Sequence, residues 1–388
     1  MKFLFVTTGS QATVYAVAPL ATAVRNAGHE LLLAANEPLM EFAEAIGVPA
    51  VSITPEPARH FVRNSRSESA RRGAGDQRAD VLGFGRGFAR FASAGLDALL
   101  DLGEGWRPDL VVGGSMSYAA GLLATRVEVP YVRHAEYLLT PGVPITDVDP
   151  VAEEELRPEL TRLGLARLPD PALFLDVCPP SLRPAGAPDA QLMRWIPSNP
   201  QRRLEPWMYL RPNGRPRVLI TSGTHFRMLP GSSMRHLVDQ LALAGAEVLI
   251  AASEGVATEL GAKLGDDVRV GWMPLDVVAP TCDLTVSHAG ATTAMTVLAA
   301  GVPQLIIPAP NPHTKAIAQA LSGFGAALTV MPQRHGPGQD PAEVIAAGCR
   351  EILSSPRYAQ QARTLARENA ALPTPSDMVH TLEKLAAA

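Results

Sequence analysis

Short apolar runs with no polar face recur along this chain, each followed by a stretch with helical spacing. KFLFVT (2–7), HELLLAA (29–35), DLVVGG (109–114) and VPYVRH (129–134) fall in the first half. RVLITS (217–222), EVLIAA (247–252), DLTVSH (283–288) and QLIIP (304–308) fall in the second. A strand without a polar face must be covered on both sides, as in a parallel sheet between helix layers. Strands alternating with helices therefore predict parallel α/β sheets. In the first such helix, Val17, Leu20, Ala21 and Val24 form one apolar face before Gly28.

The alternation restarts after a proline- and arginine-rich interval, 179–216, that carries little periodicity (PPSLRPAG, SNPQRRLEPW, LRPNGRPR). Two Rossmann-like domains are expected: residues 1–195, then a linker at 196–216, then residues 217–374, the pair facing each other across a cleft. The last stretch, 375–388, is expected to be a helix that packs back across the linker. A length of 388 residues fits two cores better than one. NSRSESARRGAGDQRAD (64–80) has no apolar period and reads as a long loop, either a lid or a solvated segment.

Composition narrows the function classes. With 47% hydrophobic and 19% charged residues the chain reads as a soluble globular protein, and a net charge of −4 argues against a nucleic-acid-binding surface. The three cysteines, Cys178, Cys282 and Cys349, are far apart and lack metal-ligand spacing, which fits a reducing cytoplasm. The opening MKFLFVTTGS is too short for a signal-peptide core, and no apolar stretch reaches membrane-spanning length. A cytoplasmic location, with no membrane partner, is the expectation.

The turns after the strands carry the chemistry. TTGSQATV (7–14) holds one glycine where a dinucleotide fingerprint needs three, so the first domain is not expected to hold a pyrophosphate. TSGT (221–224) and HAGATT (288–293) each follow a strand of the second half, and HAGATT opens a helix. A helix N-terminus offers unpaired N–H groups and a positive dipole end, worth roughly 0.3–2 kcal/mol towards an anion. Both turns would meet at the carboxyl ends of one parallel sheet, where ligands bind. Phosphates are expected in the second domain.

Taken together, GWMPLD (271–276), SHAGATT (287–293) and LAAGVPQLIIP (298–308), with VLITSGT (218–224) upstream, resemble nucleotide-sugar-dependent glycosyltransferases of the GT-B fold. The likeness extends to the urdamycin and landomycin angucycline deoxysugar glycosyltransferases in FVTTGSQATVYAVAPLATAVRNAGHE (5–30), RPDLVVGGSMSYAAGLLA (107–124), ELRPELTRLGLARLPDPALFLDVCPPSLRPA (155–185) and LDVVAPTCDL (275–284). It spans nearly the whole chain. The resemblance implies that Trp272 stacks on the nucleobase and that the backbone of Met273 meets the pyrimidine edge. It implies that His288 contacts the diphosphate, cradled by N–H groups around Gly290, Thr292 and Thr293, with Ser222, Gly223 and Thr224 on the other side.

Departures from the family pattern refine the donor. Relatives that use UDP-sugars place a glutamate on the ribose hydroxyls where this chain has Thr296, so a deoxyribose and hence a TDP-sugar is expected. Only a site built to bond a hydroxyl discriminates strongly for it, by roughly 10⁴-fold. The Asp-Gln pair that reads glucose-like hydroxyls falls here on Pro312 and His313, which implies a donor with fewer hydroxyls, a deoxysugar. On the acceptor side, a base typically contributes ~10²–10⁴ in rate. Thr13 stands where many relatives have a histidine, and Ser10 and Thr13 are candidate acceptor contacts. An aspartate of the angucycline-type relatives falls on Glu136 or Tyr137, so the candidate bases are Glu136, with Tyr137 and His134 in reserve. Phe61, Met116, Tyr118 and the helical stretch FGRGFARFASAGL (84–96) are candidate walls for a flat apolar acceptor.

The expectation is thus an inverting hexosyltransferase that moves a deoxysugar from a TDP-sugar to an aromatic polyketide through carbon or oxygen. It uses no cofactor and no metal, because no carboxylate pair accompanies the phosphate turns. Self-association as a homodimer is left open. Two rivals remain: a nucleotide-sugar 2-epimerase on the same scaffold, and a non-catalytic homologue that activates a partner enzyme.

Overall fold

The computed structural model describes residues 1–62, 77–136, 145–200, 202–211, 214–221, 229, 231–264, 268–331 and 340–388. Each apolar run named above forms a strand, and both sheets are parallel throughout. The first sheet holds β1 (Lys2–Val6), β2 (Glu30–Asn36), β3 (Ala50–Thr54), β4 (Leu110–Gly114), β5 (Tyr131–His134), β6 (Leu173–Asp176) and β7 (Gln191–Leu192), in the order β3-β2-β1-β4-β5-β6-β7. Phe3, Leu4 and Phe5 are each 0% exposed, so both faces of β1 are covered, as its unbroken apolar sequence requires. Leu4, Val6 and Val111 share one core with Leu96 and Leu99 of helix Gln77–Trp106 and with Leu122 and Leu123 of helix Tyr118–Arg126.

The second sheet holds β8 (Arg217–Thr221), β9 (Glu247–Ala251), β10 (Arg269–Gly271), β11 (Leu284–Ser287), β12 (Gln304–Ile306) and β13 (Ala327–Thr329), in the order β10-β9-β8-β11-β12-β13. In each sheet the order reverses once, between β1 and β4 and between β8 and β11. Connections leave a reversal point towards opposite faces, which opens a crevice beyond the carboxyl ends of the strands. The topology alone therefore marks one crevice in each sheet.

At the start of β8, Arg217 is completely buried. Its guanidinium donates to Glu247 Oε2 at 2.9 Å, to Thr281 Oγ1 at 2.7 Å and to the Trp207 carbonyl at 3.2 Å. Its backbone N–H donates to Asp283 Oδ2 at 2.9 Å. A buried charge is tolerated when it is paired and its donors are filled in this way.

Two compact units account for the chain. One comprises Met1–Cys178, Arg183–Arg194 and Leu372–Ala388, and the other Pro179–Leu182 and Trp195–Ala371. Within the first, helix Pro375–Ala386 packs on helix Gln11–Asn26 and starts with a reciprocal cap between Thr374 and Asp377. His29 Nε2 and Glu383 Oε1 lie 2.9 Å apart on that contact. Within the second, Asn369 grips the backbone N–H and carbonyl of Trp195 at 2.8 and 3.1 Å. Part of the stretch expected as linker is built in here, since Pro206–Tyr209 is a short helix whose Met208 is buried among Leu219, Leu249 and Val278.

One expectation needs correction. Residues 77–80 were assigned by their polarity to a loop but form the first turn of helix Gln77–Trp106, whose apolar period begins only beyond them. The rest of that segment lies outside the described residues. Among the described residues no helix is long and apolar enough to cross a membrane.

Candidate functional site

In the second sheet, Thr221 and Ser287 end β8 and β11 and are buried on either side of the strand-order reversal. Beyond Ser287 the chain turns sharply: Ala289 has φ 62°, in the left-handed region. For a residue with a Cβ this costs on the order of 1–3 kcal/mol and persists only where the surroundings enforce it. The Ser287 hydroxyl accepts the Ala289 N–H at 3.3 Å and holds the turn. Gly290 is then the N-cap of helix Ala291–Ala299, and no side chain caps that end. A Cβ at Gly290 would stand 2.8 Å from His288 Nε2 and 2.9 Å from Cε1. Only glycine lets the imidazole lie across the helix entrance.

Burial pushes His288 below the usual histidine value, so near pH 7 it is neutral and donates one N–H. Thr292 and Thr293 sit half-buried in the first turn, and Thr296, one turn on, is 4% exposed. Trp272 follows β10 and so lies on the same carboxyl edge of this parallel sheet. The Arg202 guanidinium stands 4.6 Å from its ring centroid and is itself paired with Glu254 at 2.9 Å. Met273 is buried with Leu219 and Leu249, which leaves its backbone as the part available to a ligand. Ser222, Gly223 and Thr224 lie outside the described residues. Pro312 opens helix Pro312–Phe324, capped by Asn311, and burial pushes His313 down to about 4.

In the first sheet, the ends of β1, β4 and β5 bring Thr7, Ser115 and Glu136 together. The Thr7 hydroxyl donates to Glu136 Oε1 at 3.3 Å, and the Ser115 N–H donates to the same carboxylate. A Cβ at Gly114 would lie 2.2 Å from Oε1, so the carboxylate occupies the space that glycine leaves. Arg133 donates to Asp149 Oδ2 at 2.7 Å, to Oδ1 at 2.8 Å and, through Nε, to the Ser115 carbonyl at 2.8 Å. Glu136 is 5% exposed. Burial pushes its carboxyl up to about 8, against the opposing pull of the Ser115 N–H, the Thr7 hydroxyl and the Arg133 charge. A carboxyl that titrates near neutrality is suited to exchange protons with a substrate.

The other residues marked for the first domain separate into distinct roles. His134 is fully buried on β5 and pushed down to about 4 by that burial, so it is a core histidine out of an acceptor's reach. Tyr118 is likewise core: it is 6% exposed, with Arg133 over its ring at 5.9 Å, and burial raises its phenol. Ser10 Oγ accepts the Ala12 N–H at 3.3 Å as a helix cap, and Thr13 Oγ1 donates to the Ser10 carbonyl at 2.8 Å. Phe61 is half-buried and meets Phe91 edge-on at 5.7 Å, and Met116 is half-buried against the core. Tyr137 lies outside the described residues. Among the described residues no group of three or more His, Cys, Asp or Glu is placed to hold a metal.

Residues 22–223 match the N-terminal domain, and residues 235–385 the C-terminal domain, of the erythromycin biosynthesis protein CIII-like family. The chain belongs to this glycosyltransferase family. It is 33% identical to L-demethylnoviosyl transferase of Streptomyces niveus, across 94% of this chain and 92% of that protein. It is 30% identical to aclacinomycin-T 2-deoxy-L-fucose transferase of Streptomyces galilaeus, across 100% of this chain and 96% of that protein. The solved structure of the glycosyltransferase SsfS6 of Streptomyces sp. SF2575, complexed with thymidine diphosphate, superimposes with a TM-score of 0.83 at 30% identity, covering 99% of both chains. The fold is GT-B, two parallel-sheet α/β domains.

Against this CIII-like frame, sequence reasoning missed Thr7, Gly114, Ser115 and Arg202. The signal for the first three was a polar or glycine residue closing an apolar strand, as in FVTT and VVGGS. Arg202 sits in an interval of low periodicity and had none. The Gly290 geometry is testable directly. Gly290→Ala should push the imidazole off the helix entrance and weaken TDP binding by roughly 10-fold, the loss of one hydrogen bond to a charged group. Titration of TDP into the variant measures this, and unchanged affinity would separate His288 from the phosphates.

Proposed function

We propose that this CIII-like glycosyltransferase moves a deoxysugar from a TDP-sugar to an aromatic polyketide, with inversion at the anomeric carbon. The observation that carries the reading is the open helix entrance at the β8–β11 crevice, where His288 lies across Gly290 with no competing cap. Trp272 supplies the stacking surface for thymine, and Thr296 stands where a ribose-reading carboxylate would otherwise be. The relative complexed with thymidine diphosphate supports the choice of nucleotide. The donor is a co-substrate, and no metal or other cofactor enters the proposal. The three cysteines, Cys178, Cys282 and Cys349, are all buried thiols, which supports a cytoplasmic location.

Glu136 is assigned as the base. It takes the proton of an acceptor hydroxyl as the oxygen, or the ortho carbon of the resulting phenolate, forms the bond to the anomeric carbon. The bond from that carbon to the TDP oxygen breaks, and the diphosphate keeps the electron pair. The neutral His288 N–H and the helix N-terminus stabilise the developing charge. A buried carboxyl in the first unit favours this reading over a 2-epimerase, which needs no acceptor, and over a non-catalytic partner.

Calorimetric titration with TDP and with UDP tests the donor site. TDP should bind tighter by roughly 10-fold or more, the scale of a small-group discrimination. His288→Ala should weaken TDP by roughly 10- to 100-fold. Equal binding of the two nucleotides would remove the Thr296 argument.

A further inference from the structure

Thr7 has a role that a strand-ending threonine does not ordinarily have. A buried hydroxyl at the end of a strand usually returns to nearby backbone. The Thr7 hydroxyl, fully buried, instead reaches a carboxylate 129 residues away in sequence. Threonine is branched at Cβ and stiff at χ1, so its oxygen is held in place rather than merely allowed there.

The surroundings over-determine the carboxylate. Gly114 removes the one atom that would exclude it, since a Cβ there would stand 2.2 Å from Oε1. The Ser115 residue is held through both of its flanking peptides: Arg133 Nε donates to its carbonyl at 2.8 Å, while its N–H points to Glu136. Arg133 is in turn fixed by both oxygens of Asp149. Two strand ends, those of β1 and β4, thus aim donors at the one side chain that follows the third, β5.

We infer that Thr7 is a positioning residue for Glu136, its hydroxyl holding the carboxylate in a single pose beside Gly114 at the β1–β4 crevice. The catalytic meaning of this rests on the reading of Glu136 as the base. A donor hydrogen bond favours the ionised form, whereas burial opposes it. The other group that acts on Glu136 is the Arg133 charge, which favours ionisation; Tyr131, which Glu136 itself influences, is a neutral phenol pushed up to about 12 by burial. Tyr118 and Asp149 act on Arg133 rather than on Glu136, and His134 on the same strand is neutral. Thr7 therefore keeps the base available at a lower pH than burial alone would allow.

The test is a ¹³C-carboxyl NMR titration of glutamate-labelled protein, with the Glu136 signal assigned by its loss in Glu136→Gln. In Thr7→Val, which keeps the shape and removes the hydroxyl, the Glu136 midpoint should rise by about one pH unit. Thr7→Ser, which restores the donor, should bring it back. A circular-dichroism spectrum and a cooperative thermal melt like those of wild type confirm that both variants are folded. A midpoint unmoved in Thr7→Val overturns the positioning role.

Kinetics then separates this role from the base assignment, using TDP release from a TDP-deoxysugar with 1,2-dihydroxyanthraquinone as acceptor. If Glu136 is the base, the acid limb of kcat/KM moves up with the NMR midpoint in Thr7→Val, and activity recovers at higher pH. A midpoint that moves while the limb stays, or a limb that survives Glu136→Gln, removes the base reading and leaves the hold of Thr7 on the carboxylate intact.

Discussion

Glu136→Gln lowers kcat by about 10²- to 10⁴-fold, the usual contribution of a positioned general base. TDP binding should be unchanged, because Glu136 and the nucleotide turn belong to different units. Glutamine keeps the shape beside Gly114 and can accept from Thr7, so the loss reports the missing proton acceptor rather than a collapsed crevice.

A second effect follows from linkage. The folded carboxyl is raised from its ordinary 4.5 to about 8 by burial, so the folded state binds the proton more tightly than the unfolded chain. Stability is unaffected by this below the ordinary value, and it falls as pH rises from about 4.5 towards 8. Glu136→Gln removes that cost. The variant should therefore gain more in Tm over wild type at pH 8 than at pH 5. Thermal melts at the two pH values check this, and an equal gain at both would mean that the carboxyl is not held protonated.

Arg217→Ala destabilises the second unit by about 3–5 kcal/mol, the range for breaking a buried pair by removing one partner. The guanidinium is wholly buried, while the Glu247 side chain is 21% exposed and would keep only the half-exposed Arg269, 3.9 Å away, as a counter-ion. Trp207 loses a donor to its carbonyl, which loosens the short helix that carries Met208 into the core. The Thr281 hydroxyl retains its own bond to the Val278 carbonyl at 2.8 Å, so the damage centres on Glu247 and the Trp207 segment. Urea denaturation measures the loss. A change below about 1 kcal/mol would place this cluster with surface ion pairs, whose removal costs little.

How much of this could be read in advance depended on distance along the chain. Eight strands with unbroken apolar runs were evident, because a strand covered on both faces leaves no other pattern, whereas β6 (LFLD), a shorter run closed by Asp176, was not among them. β10 (RVG) and β13 (ALT) are three residues each, and β7 (QL) two, too short to show any period. β3 (AVSIT) alternates weakly and was overlooked for a related reason. The polar first turn of helix Gln77–Trp106 hid among loop-like residues. Its helicity is settled by the apolar turns that follow.

The same distinction governs the sites. Trp272, His288, Gly290 and Thr296 fall within one short stretch, and a strand-to-helix turn declares its chemistry locally. Thr7, Gly114, Ser115 and Glu136 come from three strand ends, and only the strand order places them together. Resemblance pointed to Glu136, but nothing near it in sequence points to the Thr7 hydroxyl. Tyr118 was open to two readings, because an aromatic residue after a glycine-rich turn looks alike whether it faces a ligand or packs, as it does here, beside Arg133 and the core.

The return of residues 372–388 to the first unit bears on how members of this family can be recombined. A chimera that exchanges only the leading half at residue 195 would pair a foreign helix Gln11–Asn26 with the resident Met378, Val379 and Leu382, all buried in helix Pro375–Ala386. Acceptor preference would then appear to be lost for want of a matching helix rather than of a matching pocket. A three-piece exchange that carries the tail along with the leading half keeps that seam native.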